Sequence, residues 1–169
     1  MGSLTRKARY PSSLNDMIPF RLTALLEPGH VLVFNPHLGT LSHLAPGPVL
    51  LREQQFTASE LCVLIPLLQN YPHYCPYEQL LAHFHGGSPT SSDIDSSRLR
   101  LHMAQQEGQW DECVRPMRGV LSRVRLKMQE FGINVVAITE TGYMLKRLAQ
   151  TPIGTSEMPI EPWRLGALV

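Results

Sequence analysis

Between Cys113 and Gln129 the chain carries Arg115, Arg118, Arg123, Arg125 and Lys127 and no acid, threaded through Met117, Val120, Leu121, Val124 and Met128. Apolar steps of four, three, four and three, from Met117 through Leu121, Val124 and Met128 to Phe131, fit a helix with one apolar stripe. At about 100° per residue, Arg115, Arg118, Gly119, Ser122 and Arg123 fall on the opposite side. The helix is predicted over about residues 115–131, with Pro116 in its first turn, where a missing N–H costs little, and Gly132 as its cap. One face demands a core. The other suits phosphate.

The rest of the chain has to supply that core, and 169 residues with 43% hydrophobic content suffice for one domain. A formal net charge of +1 is uninformative until its distribution is considered. From Arg115 to Arg147 there are seven basic residues and two acids, whereas the remainder has eight basic and twelve acidic residues. A polyanion would meet the C-terminal half first. Cys62, Cys75 and Cys113 form no CxxC pair and no complete disulfide set, which suits a reducing compartment. No stretch approaches the ~20 apolar residues of a membrane span and no signal-peptide core follows the basic N-terminus, so a cytoplasmic protein is expected.

Taken in order, residues 1–19 are polar and read as a flexible basic arm, and residues 20–148 as the folded domain. From Arg21 to Glu53, short apolar runs alternate with Glu27-Pro28-Gly29, Asn35-Pro36 and Pro46-Gly47-Pro48, predicting a small antiparallel sheet of three or four strands. Thr57 and Glu60 form a capping box for a first helix, with Leu61, Leu64, Ile65 and Leu68 on its buried stripe and Asn70 near its end. A second helix is predicted over residues 75–87, with Pro76 in its first turn and Gly86-Gly87 as its stop. Residues 88–97 are poor in apolar side chains and read as an exposed loop, and residues 98–108 admit a further short helix. The basic helix comes next as the third main helix. After Gly132 an alternating segment reads as a hairpin turning or kinking near Thr141-Gly142. Residues 149–169 hold three prolines and no period, a tail. Trp163 within it reads equally as a docking aromatic or as part of an idle end.

Two helices, a loop, a basic third helix and a hairpin describe an α+β winged helix-turn-helix preceded by a small antiparallel sheet. The segments FTASELCVLIPLLQN, PYEQLLAHFHG, VLSRVRLKM and VVAITETGYML resemble, in order, four blocks of the OmpR/PhoB-type DNA-binding domain of bacterial transcription regulators. The resemblance covers about residues 21–147 and is to the effector domain without a receiver domain. It implies sequence-specific binding of double-stranded DNA and, from family habit, a homodimer on repeated half-sites. It carries the DNA-facing role to Arg115, Arg118, Gly119, Ser122, Arg123 and Arg125, and in the wing to Ala137, Thr139 and Tyr143. Guanidinium groups bridge phosphates and reach guanine edges, and small residues let the helix come close. Three departures stand out. Thr139 replaces the family's wing arginine, Glu140 replaces the glycine after it, and the loop between helices two and three is expanded to residues 86–113. The resemblance makes that loop the contact for RNA polymerase.

Each functional residue also has a plainer reading. The arginines can be a solvated helix face, Arg125 can pair with an acid such as Glu78 instead of DNA, and Tyr143 can be core only, its ring closing the wing onto helix three, to which the functional reading adds its hydroxyl on a phosphate. His73, His83 and His85 lack ligand spacing, so no metal or other cofactor is expected. G-x-S-x-G, P-loop and G-x-G-x-x-G motifs are absent, which argues against an enzyme. The competing class is a winged-helix interaction module that binds RNA polymerase or another regulator with little affinity for DNA, favoured by Thr139 and Glu140. RNA binding ranks last because stacking aromatics are lacking.

Overall fold

The computed structural model describes residues 16–149, and all but the first residue of the expected tail and most of the expected arm lie outside that range. Four strands come first: β1 (Ile18–Phe20), β2 (Val31–Asn35), β3 (Thr40–Ala45) and β4 (Val49–Gln55), an antiparallel sheet in the order β1-β2-β3-β4. Leu32 and Leu41 turn fully inward from it. The chain continues through α1 (Ala58–Asn70), β5 (Cys75–Pro76), α2 (Tyr77–Gly86), α3 (Ser91–Gln106), α4 (Trp110–Gln129), β6 (Ile133–Ile138) and β7 (Gly142–Arg147). β5, β7 and β6 form a second antiparallel sheet in that order. The class is α+β, with an N-terminal sheet and a C-terminal hairpin as expected.

α1 opens as the sequence requires. The Thr57 hydroxyl accepts from the Glu60 amide at 3.3 Å, and a Glu60 carboxylate oxygen accepts from the Thr57 amide at 2.9 Å. Glu60 is 1% exposed, and Lys127 from α4 donates to the same carboxylate oxygen at 2.6 Å. Thus the cap of the first helix is also an anchor for the fourth. Val114, Met117, Val120, Leu121, Val124 and Met128 of α4 are all buried, joining α1 and the hairpin in one core. Gly132, at φ 76°, ends the turn after α4.

Several expectations are corrected. The arm does not extend to residue 19, because Ile18–Phe20 pairs with β2. Residues 21–30 form no strand: the Leu25 and Leu26 amides donate to the Leu22 carbonyl at 2.8 and 3.0 Å, and all three leucines are buried. Their spacing of three and four is helical, and only one turn of it forms. Cys75–Pro76 belongs to a strand, so α2 starts at Tyr77. The long loop 86–113 is mostly helix. α3 starts from a second capping box, Thr90 with Asp93, and buries Ser97, Leu101 and Ala104. The described residues therefore hold four helices where three main ones were expected, α3 taking in and extending the short helix admitted over residues 98–108, and α4 begins at Trp110, leaving Pro116 inside it rather than in its first turn.

The hairpin turn also differs from the expected form. Glu140, not glycine, takes the left-handed position at φ 56°. Gly142 lies in β7 where the backbone of β5 crosses closely: a Cβ there would stand 2.1 Å from the Cys75 carbonyl oxygen and 2.9 Å from the Pro76 Cα. Nothing but hydrogen fits that gap.

Candidate nucleic-acid interface

Along α4 the positions turned away from the core are Arg115, Gly119, Ser122 and Leu126, with Arg118 and Arg123 on the two flanks. Arg115, Ser122 and Arg123 are exposed, and the space beside Gly119 is open to at least 4 Å from where a Cβ would sit. The Ser122 hydroxyl donates to the Arg118 carbonyl at 3.0 Å, which keeps it close to the helix. Among the described residues no carboxylate lies within salt-bridge reach of Arg115.

The remaining basic groups of α4 have intramolecular partners. Arg118 donates to Asp111, two turns earlier in α4, at 2.9 Å. Burial lowers its pKa, but bonding to Asp111 and the Tyr77 hydroxyl outweighs that, so the guanidinium is held charged more firmly than usual. The Arg123 Nε stands 3.6 Å from Glu60. Lys127 reaches both Glu60 and the Gln55 carbonyl, the latter at 2.7 Å. Burial pushes the Glu60 carboxyl up, and the bonds from Lys127 and Thr57 more than reverse this, holding it below the ordinary 4.5.

Arg125 does not pair with Glu78. Its Nε donates to the Val135 carbonyl of β6 at 2.9 Å, while Glu78 lies 3.6 Å from Arg98 of α3. A guanidinium fixed on a strand carbonyl ties the helix to the hairpin. Tyr143 is only 5% exposed and meets Tyr77 edge to face at 5.6 Å; burial first, and Tyr77 second, raise its phenol pKa. Its ring packs on Tyr77 of α2, where the plainer reading expected the basic helix. Ala137 and Thr139 are exposed on the hairpin, and Glu140 is exposed at its tip.

Sequence reasoning passed over Leu126, which is 66% exposed in the middle of the basic stripe. The signal was there, since 126 falls between 115, 119 and 122 in angle, and an apolar side chain in that place meets solvent or a ligand. It also passed over the structural role of Lys127, whose partner lies 67 residues away. Trp110 falls within the expected loop 86–113, yet it begins α4 and packs edge to face on Tyr77 at 5.2 Å. Among the described residues, no group of three or more His, Cys, Asp or Glu is placed to hold a metal. No helix there is long and apolar enough to cross a membrane. Neither the family models, nor the curated proteins, nor the solved structures contain a match to this chain.

Proposed function

We propose that the chain binds double-stranded DNA as a transcription regulator, in the manner of a winged helix, with α4 in the major groove. One observation carries the reading: a 20-residue helix presents an acid-free outward stripe from Arg115 to Leu126, with an open glycine at its centre. Arg115 and Arg123 are the groups for phosphate or guanine, Gly119 permits close approach, and Leu126 suits a thymine methyl. Arg118, Arg125 and Tyr143 act from behind by holding the helix and hairpin in place. Thr139 supplies a hydroxyl where a wing guanidinium would contribute more, and Glu140 opposes phosphate. On this reading α4 does most of the work. α3 stands where the resemblance puts the contact for RNA polymerase.

The test is fluorescence anisotropy with a random duplex pool and then with the sequences it selects. Replacing Arg115 and Arg123 together by Ala should cost about 2–6 kcal/mol of specific binding, at ~1–3 per good contact. Binding that survives the double change would sink the assignment. A second reading, a protein-interaction module, is favoured by exposed Leu126 and by the carboxylate partners of Arg118 and Arg123. Salt separates the two, because DNA affinity falls steeply with salt concentration and an interaction module shows negligible duplex binding throughout.

A further inference from the structure

Behind the stripe, where α2, the start of α4 and the hairpin meet, lies a cleft of about 370 Å³. Its aromatic walls are Tyr77, Trp110 and Tyr143, packed edge to face in a continuous run. Arg118 and Glu140 line it with opposite charge, and Ala137 leaves one side low. A neighbouring hollow of about 290 Å³ shares Trp110 and Glu140, so the aromatic surface continues beyond the first cleft.

We propose that this cleft binds a free α-amino acid with an aromatic side chain, its carboxylate on Arg118, its ammonium on Glu140 and its ring against Trp110 and Tyr77. Size fits, because small-molecule pockets begin at about 300 Å³ and a nucleotide needs more room than an amino acid. Shape fits, because ring faces and edges of the lining offer the offset and perpendicular contacts that aromatic groups prefer. Charge fits as well. A simple anion would meet Glu140 and a simple cation would meet Arg118, whereas a zwitterion satisfies both. Arg118 is already oriented by Asp111, which limits the side-chain entropy lost on binding.

This ligand site goes beyond the DNA reading and stands without it, so it is tested in the absence of DNA. Isothermal titration of the full chain with L-phenylalanine and L-tryptophan should give saturable one-site binding at about 1 mM or tighter. N-acetyl-L-phenylalanine and phenethylamine, each lacking one charge, should bind about tenfold more weakly or worse. Arg118→Gln and Glu140→Gln should each weaken the amino acid by a similar factor, while Arg52→Ala, exposed on β4 of the N-terminal sheet, should leave it unchanged. Thermal melts of the variants establish that they remain folded, and Tyr77→Phe offers a milder change of the same wall. Absence of saturable binding overturns the proposal, as does phenethylamine or the N-acetyl probe binding as well as the amino acid, or a Glu140→Gln variant of undiminished affinity.

Discussion

α1 and α3 begin with the same device and end with different standing in the molecule. Thr57 and Glu60 exchange hydrogen bonds of 2.9 and 3.3 Å, and Thr90 and Asp93 exchange bonds of 2.8 and 3.3 Å. The first carboxylate is then buried and shared with Lys127 at 2.6 Å, whereas the second stays at the surface and serves its own helix. Both caps are nearly equal as local geometry. What separates them is whether the acid is shared with another element. A capping box starts a helix; burial and a distant cation turn it into a fastening between helices.

The sharpest way to break this comparison is Glu60→Gln, which keeps the shape needed for the cap and removes the charge. Stability should fall by about 3 kcal/mol, the lower end for stranding one member of a buried pair, because Lys127 is partly exposed. Denaturant unfolding measures it, and a loss no larger than for a surface pair would mean that the fastening is illusory. Acid supplies a reversible version. The folded Glu60 pKa is depressed, so its contribution is present above about 4.5 and is lost as pH falls through the folded value. The gap between the natural chain and Glu60→Gln should therefore close on acidification. Thr57→Ala should cost about 1 kcal/mol and lower the midpoint of the whole transition. Smallest of all, Thr90→Ala should speed amide exchange in the first turn of α3 and leave the global midpoint nearly in place. A global shift equal to that of Thr57→Ala would make α3 as integral as α1.

The same contrast explains what the sequence reveals. Thr57 and Glu60 precede a strong apolar stripe, so cap and helix are legible together. Thr90 and Asp93 precede a helix whose inward side is Ser97, Leu101 and Ala104, too small and too polar to stand out as a stripe. The inward face of α4 follows from its spacing alone. The allegiances of its cations do not, since Arg125 bonds a strand carbonyl ten residues on and Lys127 a carboxylate 67 residues back. Such partners exist only after the chain has folded. Likewise β5 has just two residues and gains its identity from pairing with β7, a contact that no local pattern announces.

The crossing at Gly142 makes unequal demands on neighbouring codons. Glu140 adopts the backbone conformation usually given to glycine and still carries a side chain, because it stands exposed at the hairpin tip beside the cleft, with no strand crossing over it. Gly142 needs no unusual conformation and yet admits no substitute, because the Cys75 carbonyl already fills the place of a Cβ. In a saturation library selected for folding, the alphabet at 140 should therefore stay broad while that at 142 collapses to one letter. Sequence drift through the hairpin tip would leave β7's first residue as its fixed point.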